Sequence, residues 1–220
     1  MYSVPMALVD FIPVVCFLIG AITLQRGLYN KMSKGAFALF AAGTIDVFMA
    51  GFLKALYKLL YAAGVCDFEK LSQMFFPVQA IGFVLAGAGL LAMICHKQGE
   101  GKTFGFVPAF SVLFAAAAAN PGIAPEAYSG TMLFVVLMVL GLAVMDVVLC
   151  IVSAKLKKPG LIAFFVIACV FSLAMGYLSS KDFTESYMNW VAEAINVIGQ
   201  GSFMLGALKL KKAGLQELSL

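Results

Sequence analysis

The sequence predicts an all-α membrane protein of seven transmembrane helices, and three observations carry that prediction. The 220 residues are 63% hydrophobic and only 12% charged, with a mean hydropathy of +1.00, more apolar than a soluble domain of this length tolerates. The apolar residues form runs of about 20, the length a helix needs to cross a ~30 Å hydrocarbon core. The runs are continuous rather than alternating, which favours helices over a barrel, because backbone inside a bilayer must be satisfied internally.

The runs fall at residues 5–25, 36–60, 72–95, 103–120, 130–153, 160–179 and 187–208, so no soluble domain is left over. The first lacks a basic leader and carries its positive flank behind it, as in an anchor with a translocated N-tail rather than a cleaved signal. Arg26, Lys31 and Lys34 precede the second, and Lys97 and Lys102 follow the third. The fourth, "TFGFVPAFSVLFAAAAAN", has an alanine run that allows close helix approach and ends at Asn120-Pro121-Gly122. Lys155, Lys157 and Lys158 follow the fifth, and Lys209, Lys211 and Lys212 close the seventh. The opposite side holds only Lys54, Lys58, Lys70 and Lys181, which makes 11 basic residues against 4. The positive-inside rule then sets the N-terminus outside and the C-terminus in the cytoplasm. The expected location is the plasma (cytoplasmic) membrane, as in a bacterial inner-membrane protein.

The chain also repeats itself. "GAFALFAAGTIDVFMAGFL" (35–53) aligns with "GLIAFFVIACVFSLAMGYL" (160–178). "DFEKLSQMFFPVQAIGFVLAGAGLL" (67–91) aligns, with one gap, with "DFTESYMNWVAEAINVIGQGSFML" (182–205), pairing Gln79 with Glu193 and Gly87 with Gly201. In both halves a basic loop, a Gly-led helix, an Asp-Phe loop and a polar-bearing helix follow in that order. This predicts a single transmembrane domain over 1–220 built as a 3+1+3 parallel repeat: repeat one at 1–96, a linker helix at 97–125 and repeat two at 126–220. Parallel repeats about an axis along the membrane normal are a transporter design. In architecture alone the layout resembles the sugar-transporter and PQ-loop group, without its Pro-Gln dipeptide in spans 1 or 5. It also resembles the microbial rhodopsins, but without a mid-membrane lysine on the last helix to hold retinal.

Polar residues inside the spans are the candidate site. At ~100° per residue, Asn189, Glu193, Asn196 and Gln200 share an arc of about 60° on the last span, a stripe ~16 Å long. An ionisable group at that depth faces the bundle interior or water, so the stripe faces inward. A single amide would be ordinary interhelical glue; four aligned polar groups point to a ligand-binding face. Gln79 sits at matching depth on the third span. Lys54 lies one turn inside Lys58 and is a candidate partner for Glu193 at similar depth, while Lys58 is expected to snorkel to the headgroups. Asp46 lies ~16 Å into the second span, near the midplane, where a carboxyl must be protonated or paired. Asp146 lies nearer the cytoplasmic side of the fifth span, so Glu193, Asp46 and Asp146 step across the membrane as a candidate proton path. Asp10 is expected to cap or sit in the interface.

Six of seven tyrosines and Trp190 gather near the outer boundary, as an aromatic belt does. The five cysteines are scattered without a C-x-x-C, and the one histidine, His96, has a single Cys neighbour, so neither a cofactor nor a metal is expected. The leading expectation is a small secondary transporter with an outward-facing pocket bearing Glu193, Asn196, Gln200, Gln79, Asn189 and Lys54, with Asp46 and Asp146 coupling protons. A ligand sensor that binds without transport is the alternative, and an intramembrane enzyme is the weakest reading. The expected partners are a small solute or ion and the lipid bilayer, not nucleic acid, with a homo-oligomer or larger complex left open.

Overall fold

The computed structural model describes residues 3–95, 129–178 and 186–218. The described elements are α1 (Val4–Val9), α2 (Phe11–Leu28), α3 (Lys34–Ala62), α4 (Lys70–Gln73), α5 (Phe75–Cys95), α6 (Ser129–Lys155), α7 (Ile162–Leu178) and α8 (Ser186–Lys212), with short 3₁₀ turns at Pro159–Leu161 and Leu215–Glu217. Six of the resulting segments are long and apolar enough to cross a bilayer, α1–α2 and α4–α5 each counting as one. The expected fourth span (103–120), its Asn120-Pro121-Gly122 stop, His96 and the Asp182-Phe183 loop lie outside the described residues.

Local chemistry sets the helix boundaries. Ser33 starts α3 by accepting the Ala36 amide at 3.2 Å, which satisfies one of the orphan donors of the first turn. The two interruptions share a cause. Pro13 has no N–H and its ring crowds the carbonyl four residues back, that of Val9; α1 stops there and α2 resumes after Asp10. Pro77 does the same to Gln73, and the chain turns at Met74 between α4 and α5.

The six long segments form a closed ring. α2 packs on α3, α3 on α5, α5 on α6, α6 on α7, α7 on α8, and α8 returns to α2. Named contacts fix the directions. A Cβ on Gly20 would meet Phe203, and one on Gly27 would meet Leu215, so α2 and α8 run parallel. Gly141 abuts Phe83 and Val84 while Gly87 abuts Val144, so α5 and α6 also run parallel. α3 opposes α5, with Gly43 on Ala86 and Gly89 on Ala36. α7 opposes α6 and α8, with Gly176 against Val139 and Gly206 against Phe165. α2, α5, α6 and α8 therefore run one way, and α3 and α7 the other. Arg26, Lys31, Lys34, Lys155, Lys157, Lys158, Lys209, Lys211 and Lys212 come to one face; among the described residues only Lys54, Lys58 and Lys70 belong to the opposite end.

The outside of the ring is apolar. On α2, Ile12, Val15, Ile19 and Ile22 recur at helical spacing and are all exposed, as are Val136, Leu140 and Val147 on α6 and Val166, Ile167 and Val170 on α7. An apolar girdle this extensive suits hydrocarbon and not water, and the chain is described accordingly as an α-helical membrane protein.

The α3–α5 seam is the closest approach. A Cβ on Gly43 would strike the backbone of Gly82 and Ala86, which no rotamer change can relieve. Gly43→Ala is expected to lower stability by about 1–3 kcal/mol. Gly201→Ala, where a Cβ would meet nothing within 4 Å, is expected to be neutral. Equal unfolding midpoints for the two variants in detergent would contradict the backbone contact.

Candidate functional site

The ring encloses a cavity of about 360 Å³ to which all six segments contribute. Its apolar walls combine aliphatic side chains with Phe17, Phe48, Phe76, Phe83, Phe171, Met138 and Met175. Into this apolar shell project Asp10, Lys54, Lys58, Gln79, Ser172, Asn189, Glu193, Asn196 and Gln200. The four residues of the α8 stripe thus line one space, and Gln79 lines it from α5. The cavity draws on six segments, where sequence spacing pointed to the second, third and seventh spans only.

Its strongest electrostatic feature is an ion triad. Lys58 Nζ lies 2.6 Å from Asp10 Oδ2 and 3.3 Å from Glu193 Oε1, with side-chain exposures of 12%, 7% and 10% for the three residues. This corrects the expected pairing. Lys58, not Lys54, holds Glu193, and it turns inward instead of snorkelling. Two buried carboxylates demand compensation, and one ammonium between them supplies it better than a headgroup could. Asp10 is correspondingly no cap: its side chain makes no capping bond at the α1–α2 break, and the residue is buried. Lys54, one turn deeper on α3, instead places Nζ 3.8 Å above the Phe75 ring and 5.5 Å from that of Phe76, a cation–π arrangement.

Acceptors are left over. Glu193 Oε2 and Gln79 Oε1 are buried and have no hydrogen-bond partner among the described residues. Such groups are costly unless something else meets them.

Below the main cavity lies a second, about 10 Å³ in volume, lined by Phe83, Leu142, Met145, Asp146, Ala168, Ser172, Gln200 and Phe203. That is near the room one water occupies. Asp146 is 2% exposed, and neither of its carboxylate oxygens has a partner among the described residues. Phe83, Leu142, Ser172 and Gln200 line both spaces, so the two cavities adjoin, with Gln200 and Ser172 as the polar residues common to them.

No protein-family model, curated protein or solved structure matches this chain. The site must therefore be read from its own chemistry.

Asp46 does not join the line. It is half-buried with Oδ2 unpartnered among the described residues, yet it lines neither cavity. The cavity face of α3 carries Val47, Gly51, Lys54 and Lys58, and Asp46 stands about 100° off Val47 on the side away from them.

Asp10, Lys58 and Ser172 were not among the expected binding residues. The sequence did carry a signal for the first: an acid three residues before a proline inside an apolar run, where a helix break frees the backbone. For Lys58 the signal was its i, i+4 spacing with Lys54, which puts both on the same face.

Proposed function

We propose that this chain is a small secondary transporter of 3+1+3 design, with the central cavity as its solute site and Asp146 as its proton-coupling group. The observation that carries the proposal is a buried acid, Asp146, unpartnered among the described residues and lining a small cavity that shares Gln200 and Ser172 with the main one. Membrane-embedded acids of that kind mark ion and proton pathways.

The ring supports the repeat. Rotating α2, α3 and α5 onto α6, α7 and α8 preserves every direction and every neighbour relation. Glycine contacts recur in register: Gly82 lies against Gly43 and Gly199 beside Ala168, while Gly89 lies against Phe40 and Gly206 against Phe165. These contacts favour pairing Gln79 with Asn196, one turn away from the sequence alignment with Glu193. Because α5 and α6 run parallel, Cys95 and Ser129 stand at opposite ends of the ring. A seventh span at 103–120 would carry the chain back. The face with nine described basic residues is then cytoplasmic by the positive-inside rule, and the N-terminus is outside.

Purified protein in liposomes loaded with a pH-sensitive dye tests the reading. Addition of an accepted solute from a panel of amino acids, sugars and nucleosides is expected to move protons inward, and Glu193→Gln and Asp146→Asn are each expected to reduce that signal by about tenfold or more. Solute-driven proton flux unchanged in both variants overturns the assignment. Solute binding with no flux under any gradient replaces the transporter with a ligand sensor.

A further inference from the structure

We propose that the central cavity takes a zwitterionic solute with an apolar body, in chemical terms a free α-amino acid with an aromatic or large aliphatic side chain. That it is carried across the membrane rests on the transporter reading; that it binds rests on the cavity.

The charge inventory selects a zwitterion. Two ammoniums (Lys54, Lys58) and two carboxylates (Asp10, Glu193) face the cavity, so the lining is balanced when all four are ionised. Lys58 is committed to both acids. Lys54 makes no ion pair within 4 Å among the described residues, and its contact with the Phe75 face leaves its other N–H groups to donate to an anionic group. On the acceptor side stand Glu193 Oε2 and Gln79 Oε1, buried and unsatisfied among the described residues, which suit an ammonium. A plain anion would meet Lys54 but lie against two carboxylates, and a plain cation would lie against two ammoniums. A molecule carrying both charges answers both sets.

The walls select the body. Phe17, Phe48, Phe83 and Phe171 reach the cavity from four different segments, so part of any ligand that fills it lies against aromatic faces, which suits an apolar body better than one polar all round. The volume of about 360 Å³ is at the small end for ligand sites, which fits one amino acid and not a peptide chain. Asn189 and Asn196, about two turns apart on the same face of α8, add adaptable donors and acceptors on either side of Glu193.

Titration calorimetry on the full chain in lipid nanodiscs tests this with four probes: L-phenylalanine, L-leucine, phenethylamine and 3-phenylpropionate. The two amino acids are expected to bind, and each singly charged analogue to bind about tenfold more weakly or worse. Lys54→Met is expected to weaken L-phenylalanine by about tenfold while leaving phenethylamine as tight or tighter. Glu193→Gln is expected to weaken phenethylamine further while leaving 3-phenylpropionate as tight or tighter. Circular dichroism verifies that each variant is folded. Equal affinity for L-phenylalanine and either singly charged analogue overturns the proposal, as does the absence of binding by both amino acids to folded wild-type protein. L-phenylalanine binding without uptake under a pH gradient overturns transport and leaves the ligand class standing. Uptake of a different solute class, with no amino-acid binding, does the reverse.

Discussion

Lys58→Met is expected to cost about 3–5 kcal/mol of stability, the range found when one partner of a buried ion pair is removed. The reason is what remains. Asp10 and Glu193 would be left facing each other inside a helical ring, 7% and 10% exposed, with their shared cation gone. Lys54 cannot simply replace it, since its Nζ rests over Phe75 a turn deeper. The loss should therefore be recovered by neutralising the acids. The triple variant Lys58→Met, Asp10→Asn, Glu193→Gln is expected to unfold close to the wild-type midpoint, because replacing a whole buried ion cluster is often neutral. Lys54→Met removes only a cation–π contact and is expected to cost about 1–2 kcal/mol. Thermal unfolding of the four proteins in one detergent decides the matter. Equal losses for Lys58→Met and Lys54→Met, or no recovery in the triple variant, would show that the triad does not hold the ring together.

Hydropathy and helical spacing made much of this molecule legible. A run of about 20 apolar residues fixes a spanning helix almost regardless of its neighbours, and the six described segments follow those runs. The α8 stripe is a property of one helix, so the 100° rule alone brings Asn189, Glu193, Asn196 and Gln200 into line. What spacing cannot give is the relation between helices. Lys54 and Lys58 share a face of α3, and choosing the one that meets Glu193 requires the axial offset between α3 and α8. That offset follows from side-chain packing over the whole ring, including the Phe17–Phe203 stack at 5.4 Å. Asp46 illustrates the same gap. Its depth was readable, but its angular position relative to a cavity not yet located was not. Alignments of apolar segments slide by a turn with little penalty, so the sequence alone does not fix the register of the proposed repeat, whereas glycines at helix contacts mark where backbones meet.

Asp146→Asn is expected to abolish proton-driven accumulation while leaving solute exchange intact. A gradient of one pH unit supplies about 1.4 kcal/mol per proton and sustains about a tenfold accumulation when one proton is coupled to one solute. The amide occupies the space of the carboxyl but cannot take up and release a proton, so the accumulation ratio is expected to fall to unity. Binding should survive, because Asp146 does not line the main cavity. Exchange of labelled for unlabelled solute across the same liposomes is therefore expected to stay within about threefold of wild type, while Asp46→Asn, which alters a residue lining neither cavity, is expected to accumulate normally. The paired readout separates two roles that a single flux assay would merge. Accumulation retained in Asp146→Asn removes the residue from coupling altogether. Loss of exchange together with accumulation would instead make Asp146 a positioning group for Gln200, whose side chain is the one polar link between the solute cavity and the acid beneath it besides Ser172.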